Sequence, residues 1–174
     1  MNKFPELKKF SHLFSTFFGV GLLPIAPGTW GSFAALFLFF GLMYLQITFF
    51  LFFIFFIFFS IASMIICEIA SKDLAEKDHK AIVIDEVAGA WLSFLFIPLL
   101  GIYNFSTLEW EKESYLAAFI LVILFRLFDI LKPHPISFID KKFKSGFGIV
   151  LDDMVAAVFA GLTLLGGNFF VQVF

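Results

Sequence analysis

Apolar residues fill this chain in long unbroken runs, and the polar positions fall between them in a few short clusters. A run of about 20 apolar residues, coiled as a helix, matches the hydrocarbon thickness of a bilayer. Windows of this kind lie at residues 29–45, 47–67, 84–103, 114–131 and 149–170. The pattern predicts an all-α, polytopic membrane bundle of about four to five spans. Ahead of the first window, residues 10–27 are apolar but broken by Gly19, Gly21, Pro24 and Pro27. A short interfacial or re-entrant piece fits that stretch better than a span. Lysines before an apolar segment resemble the start of a signal peptide, but these breakers and the lack of a small-x-small site predict a retained N-terminus. The run 49–59 is Phe, Leu and Ile throughout; with no polar face, it is expected against lipid and neighbouring helices.

Composition agrees with a membrane chain. Hydrophobic residues make up 61% and charged residues 15%, with a mean hydropathy of +0.99, against about 25% charged in soluble domains. At 174 residues the chain is expected to be one domain, 1–174. A net charge of −2 offers no electrostatic footprint for nucleic acid, and nothing in the pattern calls for an obligate protein partner. The single cysteine, Cys67, lies in an apolar run and is expected to be a packed thiol.

Span parity organises the charges. With the N-terminus on side A, residues 1–12, 68–83 and 132–148 also lie on A, and the turn near Gln46 and the loop 104–113 lie on B. Of the twelve Lys and Arg, only Lys112 falls on B, so side A is expected in the cytoplasm. Asp85 and Glu86 begin the span leaving A, Asp129 ends the span returning to A, and Asp152 and Asp153 begin the next one out. Five carboxylates thus converge on the cytoplasmic face. Charges at such positions are costly and mark function or a buried partner. Gathered together they repel one another unless a cation sits among them.

A helix cap accounts for one member of each acidic pair, and Asp85 or Asp152 alone would read that way. The adjacent acid points about 100° away and is left for chemistry. Asp129 sits at a helix C-terminus, where the dipole disfavours an anion, so it must answer to Arg126, Lys132 or a metal. Arg126, three residues earlier, shares its face and is either an ion-pair partner or a bidentate phosphate holder. Lys132 adds a second cation before Pro133 and Pro135 end the helix. Gly28, Thr29 and Ser32, at the start of the first span, are candidate phosphate contacts. His79 lies near the cluster in a loop. Asp140, in the segment connecting two spans, falls outside these clusters and is given no role. There is no Cys-x5-Arg, no Asp-x-Asp and no zinc-like ligand set. Oxygen ligands in quantity favour a hard cation, above all Mg2+.

Four stretches carry a resemblance: 21–32 (GLLPIAPGTWGS), 78–89 (DHKAIVIDEVAG), 125–136 (FRLFDILKPHPI) and 146–154 (GFGIVLDDM). Together, in this order, they resemble the phosphatidylglycerophosphatase A family. Ser145 and Ala157 stand where that family often has Gly. The resemblance implies a Mg2+-dependent lipid phosphatase of the bacterial inner membrane, multi-pass, with its site on the cytoplasmic face. Its substrate would be phosphatidylglycerophosphate and its product phosphatidylglycerol. On this reading Asp85, Glu86, Asp129, Asp152 and Asp153 are catalytic, with Glu86, Asp129 and Asp153 on the metal. Arg126, Lys132, Thr29, Ser32 and His79 hold the substrate. Two other classes use such acids. A CDP-alcohol phosphotransferase-like synthase needs Asp-x-x-Asp-Gly, and Asp85-Glu86-Val-Ala-Gly lacks the second Asp. An ion-coupled transporter places its acids near the bilayer midplane, whereas these lie at span ends.

Overall fold

A computed structural model describes residues 5–72, 79–143 and 145–173. Asp78, which opens the second motif, lies outside the described residues. The chain runs α1 (Phe10–Ser15), a 3-10 turn (Val20–Leu22), α2 (Pro27–Tyr44), α3 (Phe49–Ser71) and α4 (Ile84–Phe94). A second 3-10 turn (Ile97–Leu100) follows, then the strands β1 (Tyr103–Asn104) and β2 (Glu109–Trp110), α5 (Glu113–Leu131), α6 (Ile136–Lys142) and α7 (Gly146–Val173). Helices α2, α3, α5 and α7 are long and apolar enough to cross a membrane.

Local sequence accounts for the boundaries. Pro27 occupies the first turn of α2, where its missing N–H costs nothing. Thr48 caps α3, its hydroxyl accepting from the Leu51 N–H at 3.4 Å. Helix α3 buries one stripe, Phe52, Phe56, Ser60, Ser63 and Cys67, at the spacing of a single helix face. Phe50, Phe53, Phe55 and Phe58 point outward, so the Phe-rich run does face lipid on most of its circumference.

The window 84–103 crosses the bundle, but not as one helix. Helix α4 stops at Phe94 after 11 residues. Pro98 explains the stop: in a continued helix its ring would clash with the Phe94 carbonyl. The 3-10 turn then completes the passage. Its far end is fixed to the α2–α3 turn, because Trp110 Nε1 donates to the Ile47 carbonyl at 2.7 Å and the Phe49 N–H donates to the Tyr103 hydroxyl at 3.2 Å. β1 and β2 pair antiparallel, Tyr103 with Trp110 and Asn104 with Glu109.

α4 is the centre of the molecule. All its residues except Glu86 and Leu92 are buried, and α2, α3, α5 and α7 pack around it. Irregular backbone at membrane depth is tolerated where protein encloses it in this way. Trp91 donates from Nε1 to the Ala35 carbonyl at 3.1 Å, and Phe94 stacks on Phe39 at 4.5 Å. Toward α5 and α7 the approach relies on small residues. A Cβ on Gly89 would lie 2.7 Å from the Phe125 ring and 3.1 Å from Asp153 Cβ, and Ala156, Ala157 and Ala160 of α7 are fully buried. The N-terminal piece is short and folded back on residues 79–83, where the Val83 N–H donates to the Ser15 carbonyl at 2.8 Å.

Candidate active site

Three helices deliver carboxylates to one point. Asp85 and Glu86 lie in the first turn of α4, where the helix dipole favours negative charge. Asp129 comes from the last turn of α5. Asp152 and Asp153 come from α7, which starts at Gly146, earlier than the window at 149 implies. They therefore sit nearly two turns inside the helix, beyond the reach of capping, which corrects the reading of Asp152 as a possible cap. The N-terminus of α7 is satisfied by other groups. The Gly146 N–H donates to Glu68 Oε2 at 2.7 Å, and the Gly148 N–H donates to the Ser145 hydroxyl at 3.3 Å.

These acids surround a cavity of about 100 Å³ lined by Asp85, Glu86, Asp129, Lys132, Ile149, Asp152 and Asp153. That is room for about three waters, or a phosphoryl group. Two cations balance part of the charge. Arg126 Nη1 lies 2.6 Å from Asp129 Oδ2 and 3.7 Å from Glu86 Oε1. The 2.6 Å contact is an ion pair without hydrogen-bond alignment, and neither Nη1 nor Nε has a hydrogen-bond partner among the described residues. Lys132 Nζ donates to Asp152 Oδ2 at 2.7 Å and to Asp140 Oδ1 at 2.9 Å. Burial alone would lower the Lys132 pKa. The hydrogen bonds and charges of Asp152 and Asp140 outweigh that and raise it, so the ammonium stays charged at physiological pH.

The backbone at Lys132 is unusual. It caps α5 with φ at +42°, a left-handed position normally given to Gly and costing another residue about 1–2 kcal/mol. Strain of this kind concentrates at functional sites. Here it turns the chain sharply enough for α6 to bring Asp140 beside the Lys132 side chain.

Asp85, Glu86 and Asp153 form a tighter subset, each presenting a carboxylate oxygen within 4.8 Å of the others. Asp85 Oδ1, Glu86 Oε2 and Asp153 Oδ2 are buried and have no hydrogen-bond partner among the described residues. Three orphaned anionic oxygens from three converging side chains suit a hard divalent cation. The close set differs in one member from the Glu86, Asp129 and Asp153 read from sequence. Asp85 belongs to this close group and Asp129 does not; Asp129 is paired with Arg126.

The other expected contacts sit elsewhere. Ser32 is fully buried, its hydroxyl donating to the Gly28 carbonyl at 3.0 Å within α2. Thr29 lines a groove on the far side of Arg126. His79 borders a separate depression with the 21–27 loop, its Nδ1 accepting from the Ala81 N–H at 3.2 Å. None of the three lines the acid cavity. Gly28 contributes through space: a Cβ there would fall on Glu86 Oε1 and lie 2.9 Å from Arg126 Nη2. Asp140 and Glu68 were missed from sequence. Asp140 is eight residues from Lys132 across a proline turn, and Glu68 is 78 residues from Gly146, so no local spacing announces either.

Comparison with known proteins adds an independent finding. Residues 13–168 match the family described as phosphatidylglycerophosphatase A. A protein of that name from Haemophilus influenzae is 39% identical over 160 residues, 88% of this chain and 89% of its own. One of the same name from Escherichia coli is 33% identical over 158 residues, 90% and 83% respectively. A relative from Bacteroides thetaiotaomicron, provisionally named a phosphatidylinositol-3-phosphatase, is 32% identical over 155 residues, 85% and 87%. No solved structure matches the chain.

Proposed function

The chain belongs to the phosphatidylglycerophosphatase A family, and on that premise we propose that it hydrolyses the terminal phosphate of phosphatidylglycerophosphate, releasing phosphatidylglycerol and phosphate. The observation that carries the reading is the pairing of three orphaned carboxylate oxygens with two cations around one small cavity. The acids leave a surplus of negative charge that a divalent cation would offset, and the two side-chain cations then favour a phosphomonoester beside it.

Asp85, Glu86 and Asp153 would hold Mg2+, which when bound neutralises phosphate charge and polarises the phosphoryl group. Arg126 receives the phosphoryl oxygens on its guanidinium, whose Nε and Nη1 have no hydrogen-bond partner among the described residues. As phosphate takes up the guanidinium, Asp129 is freed to accept the proton of the attacking water. Lys132 stays on Asp152 and Asp140, a fixed positive charge at the rim that favours charge build-up in the transition state. Attack forms the new P–O bond in line as the bond to the lipid oxygen breaks; that oxygen takes a proton from water and leaves as the alcohol, and Asp129 returns its proton to solvent. The acids gather at the first turn of α4, the last of α5 and the second of α7, toward one membrane face. We place that face in the cytoplasm of a bacterial inner membrane, from the distribution of Lys and Arg.

The test is phosphate release by purified protein in detergent from phosphatidylglycerophosphate, with phosphatidylinositol 3-phosphate as competitor. We expect turnover on the former, loss on chelation and return with Mg2+. Full turnover in chelator would overturn the metal assignment, and no release from either lipid would overturn the phosphatase reading.

A further inference from the structure

Between α2 and α5 a groove of about 340 Å³ opens on the lipid-facing surface. It is lined by Thr29 and Phe33 of α2 and by a stripe of α5 from Val122 to Ile130. The eight residue steps from Val122 to Ile130 give it a length of about 12 Å. Its lining is apolar except at Thr29, in the first turn of α2, and at Arg126, midway along the α5 stripe with Leu127 and Ile130 beyond it toward the end of the helix. Inward from Arg126 the groove is formed by Phe33, Val122 and Ile123, so an acyl chain running down from the guanidinium meets only apolar side chains.

Arg126 joins this groove to the chemistry. It lines the groove, yet its Nη1 stands 2.6 Å from Asp129 and 3.7 Å from Glu86, which line the cavity. On the α2 side Gly28 has no side chain, and Arg126 Nη2 and Glu86 lie over the first turn of that helix. We propose that the groove holds one acyl chain of the lipid phosphate, and that this seating fixes the register in which Arg126 presents the phosphate to the acids. The proposal rests on the phosphatase reading. Lipid tails are as apolar as the groove, so occupancy gains little hydrophobic energy in a bilayer. Its effect is on position, which governs rate when reacting groups must align.

Ile123 and Leu127 line the groove and are about half exposed, at 50% and 48%, so larger side chains there fill the groove without entering the core. The experiment compares Ile123→Trp and Leu127→Trp with Leu116→Trp, a more exposed position near the other end of α5. Each is assayed on dioleoyl phosphatidylglycerophosphate in micelles and on the same headgroup stripped of acyl chains. We expect the two groove variants to lose roughly tenfold or more in kcat/KM on the diacyl lipid while staying within about twofold on the deacylated one, the scale on which apolar pockets discriminate. Leu116→Trp should change neither. Equal losses on both substrates, or none on the diacyl lipid, would overturn the groove. Absence of phosphate release by the unmutated protein from both substrates would instead fell the phosphatase reading, and the groove with it. A diacyl analogue with a photoreactive group in one chain gives a readout independent of turnover. Adducts should concentrate on residues 122–130 and fade in the two groove variants, and an even spread over the outer face of α3 would refute the seating.

Discussion

Gly28→Ala isolates the geometry of the site from its chemistry, because it removes no charged or ligating group. The new Cβ would fall on Glu86 Oε1, 3.0 Å from Glu86 Cδ and 2.9 Å from Arg126 Nη2. Both are ends of long side chains, so the helix need not move. Ala is also the better helix former by up to about 1 kcal/mol, and thermal unfolding in detergent should shift little. To reach ordinary contact at 3.4 Å, Arg126 Nη2 must retreat by about 0.5 Å and Glu86 Oε1 by more. A misplacement of about 1 Å costs on the order of a hundredfold in rate. We therefore expect kcat/KM for phosphate release to fall about 30- to 100-fold, or about 2–2.7 kcal/mol of barrier. Gly31→Ala is the contrast. Its Cβ would meet Val83 at 3.0 Å and the Val83 carbonyl at 3.1 Å, contacts that cannot swing away, and its cost should appear as lowered stability. Unchanged kcat/KM in Gly28→Ala, or a loss that merely follows unfolding, would refute the placement of Glu86 and Arg126 against α2.

Asp85→Asn, Glu86→Gln and Asp153→Asn keep shape and remove charge, so each should remain folded and lose roughly a hundredfold or more in kcat; unmutated turnover in all three would show these acids to be structural. Asp140→Asn removes a charge but keeps an acceptor for Lys132, so it should cost no more than about tenfold in kcat, the scale of one net hydrogen bond at about 1 kcal/mol; a loss as large as that of Asp153→Asn would place Asp140 among the reacting groups. Glu68→Ala removes the acceptor at the start of α7 and should lower stability by about 1 kcal/mol, with Glu68→Gln recovering most of it; an unmoved unfolding temperature would show that the contact contributes nothing. With Cys67 replaced, a cysteine at residue 140 should be shielded from an impermeant thiol reagent in intact cells and one at residue 110 should react; the reverse would invert the proposed orientation.

The convergence of the acids was legible because it depends on parity, which needs only the number of crossings between charges. The break at Phe94 leaves parity untouched, since the 3-10 turn carries the chain to the Tyr103–Trp110 hairpin on the opposite side. Pro98 could have announced that break; apolar windows ignore it because they average hydropathy and not hydrogen bonding. Arg126 answering Asp129 was legible from three-residue spacing on one helix face. The start of α7 was misplaced by three residues, enough to turn Asp152 from an interior group into a cap. Ser32 misled because a hydroxyl in a helix can satisfy itself on the preceding turn. Glu68 and Asp140 depend on how helices distant in sequence lie side by side, which no local pattern encodes.

The enclosure of α4 also bears on how the chain is made. An 11-residue helix that begins with Asp85 and Glu86 is too short and too charged to reside alone in lipid. Two of the helices that wrap it, α5 and α7, leave the ribosome after it. The central segment must therefore wait at the membrane surface, or in a protein-lined channel, until its enclosure exists. A chain ending at residue 145 should insert α2, α3 and α5 yet leave α4 accessible and short-lived in cells, as pulse-chase and protease accessibility would reveal. Supplying α7 as a separate peptide should restore it; if the truncated chain proved as long-lived as the whole, α4 would have to be stable in the membrane without its C-terminal partner.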